Sequence, residues 1–237
     1  MKLLALDTAT EACSAAVWVD GVIHAHFEIV GRDHTKRLLP VVAEVLAAAG
    51  LRYSQLDGLV CGVGPGSFAG VRIGVAFAKG AALAHELPVV GVSSLALLAQ
   101  RALSAGGAQR VLVAIDARMG EVYFQPFERD GSGTARALAD AVVAAPDAVP
   151  RPVAAARWLA AGTGWGVYEA ELRARLACEI SAIDAAALPQ AADAFALAVP
   201  VFEHGEAQAA DALQPIYLRN NVALTLLQQR VLRAQKS

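Results

Sequence analysis

The chain has 237 residues, 56% of them hydrophobic and 18% charged, with a formal net charge of −2. That apolar content supplies one large core or two smaller ones. The near-neutral balance excludes the broad positive field by which proteins hold nucleic-acid backbones through counterion release, so strong solitary binding to nucleic acid is not expected.

In chain order, Lys2 to Asp7 reads as a strand, Thr8 to Thr10 as a small-residue turn and Cys13 to Val19 as a second strand. Asp20-Gly21 then marks a hairpin into a third strand. From His34 to Ala49, Leu38, Val42, Val45 and Leu46 recur at helical spacing, with Asp33 as N-cap, Pro40 inside and Gly50 as the stop. Gly58 to Val63 reads as a buried strand, Gly64-Pro65-Gly66-Ser67 as a turn, Gly70 to His85 as a second helix, Pro88 to Ser93 as a strand, and the residues up to Leu103 as a short helix. Ser104 to Gly107 is the best linker, which divides the chain into 1–104 and 105–237.

Arg110 to Asp116 repeats the plan of Lys2 to Asp7: an apolar run ending in Asp, then a short turn, a second strand (Glu121 to Phe127) and an Asp-Gly pair, Asp130-Gly131. Two copies of one βββαβα unit facing each other across a cleft are expected, giving an α/β protein of two lobes. The second copy is less regular, with an Ala-rich stretch from Ala135 to Ala161, a Gly162-Thr163-Gly164-Trp165 turn and a mainly helical remainder. Gln214 to Leu218 reads as a terminal extended segment that packs back on the first lobe, before a short polar tail.

Asp7 and Asp116 stand at strand ends, where open α/β sheets place ligands. With Thr8, Gly64 and Gly66 they are the candidate nucleotide-binding residues: the two carboxylates either hold a hydrated magnesium ion or position a water for phosphoryl transfer, or each caps its own turn. The loop Gly64 to Gly70 is placed to offer N–H groups to an anion, Gly64 and Gly66 among them, but it has neither the P-loop lysine nor dinucleotide-type glycine spacing. Arg72, in the first helical turn, answers either to Glu11 or Asp7 or to a ligand or partner. Gly70, Gly74, Ala78 and Ala82 form a ridge nearly without side chains, flanked by Ile73 and Phe77. With Leu38, Leu39, Val42 and Leu46 of the first helix it is either a surface for another protein chain or plain core.

Cys13, Cys61 and Cys178 have no metal-like spacing and are read as reduced thiols. None of the five histidines forms a metal-binding pair, so no metal site is expected. No apolar stretch reaches the roughly 20 residues of a membrane helix, and Met1 leads straight into a strand without a leader pattern, so a cytoplasmic setting is expected.

Leu6-Asp7-Thr8-Ala9-Thr10, Gly64-Pro65-Gly66-Ser67-Phe68, Gly70-Val71-Arg72-Ile73-Gly74, Ile115 to Tyr123 and Tyr217 to Asn221 resemble the TsaB family, also called YeaZ, with Ala69 departing from its usual Thr. The resemblance implies an actin-like (ASKHA, ribonuclease H-like) fold shared with the paralogue TsaD, the enzyme that transfers threonylcarbamoyl to the adenosine beside the tRNA anticodon. TsaD-like proteins carry a metal-binding His pair whose positions here are Ser94 and Leu98, and leucine offers a metal no donor. The resemblance therefore implies a non-catalytic partner, paired through two helices with a TsaD-like protein and joined by a TsaE-like ATPase. It implies self-association as a homodimer when alone, tRNA reached only through the complex, no cofactor of its own, and ATP or ADP at the interface of the complex. A glycoprotease-like metallopeptidase and a sugar or acetate kinase-like ATPase are the rival expectations.

Overall fold

The computed structural model describes residues 1–152 and 156–219; the basic tail with Arg230, Arg233 and Lys236 lies outside them. Three strands open the chain, β1 (Lys2–Asp7), β2 (Ala12–Val19) and β3 (Val22–Ile29), paired antiparallel in an unbroken register from Lys2↔Val19 to Asp7↔Ser14 and on to Ala12↔Ile29. Their hairpin turns at Asp20 and Gly21, both at positive φ (47° and 96°), the backbone that a tight right-twisted turn requires. Helix α1 (His34–Ala48), strand β4 (Gly58–Gly62), helix α2 (Phe68–His85) and strand β5 (Val89–Val92) follow, with β4 and β5 parallel to β1. The sheet order is β3-β2-β1-β4-β5. Helix α2 starts two residues before the expected Gly70 because Ser67 Oγ accepts the Gly70 N–H at 3.3 Å and caps it.

Helix α3 (Ser94–Gly106) runs through most of the expected linker and stops at Gly107, which takes the left-handed conformation. Beyond it lie β6 (Arg110–Arg118), β7 (Glu121–Arg129), β8 (Ala135–Ala137), β9 (Val142–Ala144), β10 (Arg157–Ala161), α4 (Thr163–Leu176), β11 (Glu179–Asp184) and α5 (Ala194–Glu203). The second sheet has the order β11-β10-β6-β7-β8, with β9 also on β7. From its outer hairpin strand inward it repeats the first: antiparallel, antiparallel, then two parallel strands. This doubled plan is the actin-like fold, two lobes facing across a cleft. In the second lobe, strand β9 and an irregular stretch stand where the first has α1.

After Trp165 the chain carries helices α4 and α5, as expected, but it is not helical throughout, since β11 pairs parallel with β10, a strand inside the Ala-rich stretch that itself lies beside β6. Alanine favours helix when alone, but Trp158, Ala160 and Ala161 are buried within the second sheet, and strand pairing overrides that preference. Nor is Gly162 to Trp165 a free turn. Gly162, at φ 110°, is the N-cap of α4, and Trp165 is fully buried with its indole N–H donated to Leu112 O at 3.0 Å.

Helices α1 and α2 cover one face of the first sheet, burying Leu4, Leu6, Leu38, Val42, Val71 and Val75. The other face is covered by α5, whose Phe195 and Ala198 pack on Leu3, Ala5 and Val60. Conversely α3, which precedes the second sheet in the chain, packs into it through Leu95, Leu98 and Leu103 against Val111, Val113 and Phe127. Helix α4 closes the remaining face over Leu112, Phe124 and Trp158. Each lobe is thus finished by a helix from the other half of the chain. Each fully buried leucine contributes roughly 1.5–3 kcal/mol.

Candidate functional site

The strand ends of β1 and β6 point to a cleft of about 560 Å³ between the lobes. Ala9, Thr10, Gly66, Ser67 and Phe68 line it from the first lobe, Asp116, Arg118, Tyr123 and Thr163 from the second, and residues 216–219 run along it.

Of the predicted nucleotide-binding residues, Gly66 and Asp116 face this cleft, while Asp7, Thr8 and Gly64 lie beneath its floor. Asp7 is 1% exposed. Its Oδ1 accepts the Ala9 N–H at 2.9 Å and its Oδ2 accepts the Ser94 hydroxyl at 2.7 Å. A Cβ on Gly62 would come within 1.8 Å of Oδ2, so the β4 backbone lies directly against that oxygen. Burial raises the Asp7 pKa, opposed by the Ser94 hydroxyl, the Ala9 N–H and the charge of His34. The expectation of two carboxylates facing each other across the cleft is therefore corrected, because Asp7 is enclosed by its own lobe. Thr8 is occupied as well, its hydroxyl donating to Gly70 O at 2.7 Å.

The loop from Gly64 uses its donors internally. Gly64 N–H goes to Ser94 Oγ at 3.2 Å, Ser67 N–H to Ala9 O at 2.7 Å and Gly70 N–H to Ser67 Oγ. These three N–H groups are not free for an anion. Asp116 keeps to its own turn in the same way: Oδ1 accepts the Arg118 N–H at 2.8 Å, Oδ2 lies 2.9 Å from Arg118 Nη1, and its own N–H is donated to Thr163 Oγ1 at 3.1 Å.

Ser94 and Leu98 open α3 one turn apart. Ser94 is fully buried and its hydroxyl joins Asp7 to the Gly64 N–H, while Leu98 is fully buried in the core of the second lobe. Burial pushes the thiol of Cys13 up to about 11 and that of Cys61 further still, so both are protonated at neutral pH. Among the described residues, no three of the His, Cys, Asp and Glu side chains come together to hold a metal ion.

On the helices, the structure places the small-residue ridge inward. Gly70, Gly74, Ala78 and Ala82 are buried, and a Cβ on Gly74 would stand 2.5 Å from Thr8 Oγ1. Leu38, Val42 and Leu46 are core residues too. The ridge is what lets α2 lie close on the turn after β1, so these seven are corrected from partner surface to core. Leu39 (60% exposed), Arg72 and half-buried Phe77 remain toward the outside, and Leu83 and Phe68, which sequence reasoning missed, join them.

Among the described residues Arg72 has no acidic partner. Its Nε donates to the Tyr217 hydroxyl at 2.7 Å, and its guanidinium lies 3.2 Å from the Phe68 ring centroid and 5.2 Å from that of Tyr217. The segment that carries Tyr217 is tied at both ends. Ile216 N–H is donated to Val63 O at 2.8 Å in the first lobe, and Arg219 donates to Ala117 O at 3.1 Å and to the Glu121 carboxylate in the second. The extended segment from Gln214 to Leu218 thus lies against the first lobe, as its sequence suggests, while its tie to the second lobe through Arg219 left no local signal.

Against this geometry, comparison with known proteins is specific. A protein of Escherichia coli (strain K12) named "tRNA threonylcarbamoyladenosine biosynthesis protein TsaB" is 43% identical, over 94% of this chain and 96% of its own length. The chain belongs to the TsaB family. A TsaB of Haemophilus influenzae is 38% identical over 94% of this chain and 95% of its own. The model of the family described as "TsaD: tRNA N6-adenosine threonylcarbamoyltransferase" matches residues 24–227. A solved structure described as "YeaZ from Pseudomonas aeruginosa" superposes with a TM-score of 0.85 at 44% identity, covering 92% of this chain and 99% of that one. Among the described residues, no helix is long and apolar enough to cross a membrane.

Proposed function

We propose that this TsaB-family chain takes part in forming threonylcarbamoyladenosine in tRNAs that read codons starting with A, as a non-catalytic subunit acting with a TsaD-like transferase and a TsaE-like ATPase in the cytoplasm. The observation that carries this reading is the use made of Ser94 and Leu98. At the two positions where the transferase resemblance calls for metal-binding histidines, one side chain is a hydroxyl committed to Asp7 and the other is a leucine sealed in the second lobe. Enclosure of Asp7 speaks against the kinase-like alternative as well, since its carboxylate does not reach the cleft.

The transferase docks on the outer side of α1 and α2, which lie on one sheet face and present Leu39 and Leu83 at 60% and 66% exposure with Arg72 between aromatic rings. Without the partner, the same face supports self-association. ATP or ADP binds at the interface of the complex, and tRNA is engaged through the complex.

Size-exclusion chromatography with a TsaD-like protein tests the assignment. Leu39→Asp leaves the melting temperature within a degree or so, because the side chain is exposed, and abolishes co-elution. Co-elution unchanged in Leu39→Asp/Leu83→Asp, or threonylcarbamoyl transfer by the isolated chain, would overturn the reading.

A further inference from the structure

A second cavity, of about 750 Å³, opens at the far end of the second sheet from the interlobe cleft, where β6 and β10 begin and β7 ends. Arg110, Arg129 and Arg157 all line it, and Glu128 is the one lining carboxylate. That carboxylate is already shared, since it bonds Arg136 and lies 3.5 Å from Arg110 Nε. Arg157 stands 3.3 Å from Glu179, but both side chains are about 70% exposed and such pairs hold weakly in water.

Arg129 is the decisive residue. Its Nε and Nη2 are buried without a hydrogen-bond partner, and no carboxylate among the described residues lies within ion-pair distance of it. A guanidinium cannot discharge itself by losing a proton at physiological pH, and burying one without an acceptor is costly. Nε and Nη2 are shut away from solvent and do not themselves open into the cavity; the remainder of the Arg129 side chain lines it, and an anion bound there would offset the buried charge at short range. Arg110, with its guanidinium 5.7 Å from the Trp158 ring centroid, and Arg157 converge on the same space from the neighbouring strands. An adjoining cavity shares Arg157 and adds Arg151 together with Glu179.

We propose that this cavity binds a phosphate group, held between Arg110, Arg129 and Arg157. Guanidinium donors match the oxygen spacing of a phosphate, and a single local site of this kind does not need a positively charged protein. The group is either a free small phosphate or one phosphate of an RNA backbone, and the two sources are separable.

The full chain is titrated at constant ionic strength with inorganic phosphate in one arm and a short single-stranded RNA in the other, by calorimetry and by the NMR signals of the arginine side chains. Saturable binding is expected in at least one arm. Arg129→Met and the exposed Arg157→Ala each weaken it about tenfold, the loss of one charge-assisted hydrogen bond, while Arg118→Ala in the interlobe cleft leaves it unchanged. Binding of inorganic phosphate identifies a small-molecule site, and binding of RNA alone identifies a backbone contact. The proposal is overturned if neither probe saturates, if both cavity variants bind like wild type, or if Arg118→Ala abolishes binding.

Discussion

Replacing Ser94 with alanine removes a single buried oxygen and leaves two groups stranded. Asp7 Oδ2 loses the 2.7 Å hydrogen bond that helps offset its burial, and the Gly64 N–H loses its acceptor at 3.2 Å. A hydrogen bond to a charged group contributes about 1.5–3 kcal/mol and a neutral one about 1, so Ser94→Ala should cost about 3 kcal/mol. For a chain of this size that is a fall in melting temperature of roughly 6–12 °C. Differential scanning calorimetry at pH 7 reads it directly. The deficit should shrink in acid. The folded pKa of Asp7 is raised, so the native state binds the proton more tightly than the unfolded chain and stability falls as pH rises above the unfolded value. Protonating Asp7 removes the charge that Ser94 stabilises. A melting temperature for Ser94→Ala within two degrees or so of wild type, or a deficit that grows as pH falls, would refute the account of Ser94 as the tie between the two loops.

Gly74→Ala should destabilise by about 1–3 kcal/mol because its Cβ meets Thr8 Oγ1, whereas Gly80→Ala on the exposed side of α2, with nothing within 4 Å, should stabilise by about 0.5–1 kcal/mol; denaturant midpoints distinguish the two. Asp193, whose burial pushes its pKa up to about 6 against the pull of Arg101 3.7 Å away, lowers stability as pH rises from about 4 to 6. Asp193→Asn should flatten that slope and gain up to about 3 kcal/mol at pH 7, read from pH-dependent unfolding. Arg219→Ala should free the strap from the second lobe and speed proteolytic cleavage within residues 214–219, while the core transition stays in place.

What was legible in the sequence was local. The apolar runs of β1 and β2, the Asp20-Gly21 hairpin and the helical spacing of α1 and α2 are written in neighbouring residues, and the repetition from Arg110 announces the second lobe. Orientation was not legible. The spacing of Gly70, Gly74, Ala78 and Ala82 defines a face of α2, but only contact with Thr8 decides that it faces inward. Asp7 ends β1 and Asp116 stands two residues before the end of β6, and their fates diverge through Ser94, 87 residues beyond Asp7, and the closeness of Gly62. Strand β10 was hidden because alanine names a helix until a neighbouring strand claims it. That Gln214 to Leu218 is extended was legible, but its partners, Arg72 and Phe68 for Tyr217 and Glu121 for Arg219, were not, since they lie as far as 145 residues away.

The exchange of α3 and α5 between lobes bears on how the chain is made. During synthesis the first sheet emerges early, yet Leu3, Ala5 and Val60 wait for residues 194–203 before that face is covered. Cutting the chain near residue 104 would strand α3 away from Val111 and Phe127 and leave the first sheet open, so neither half is an autonomous folding unit. Whatever duplicated ancestry the two lobes have, they now mature together, and a nascent chain stalled before α5 presents an apolar sheet that a chaperone or a second nascent copy would meet first.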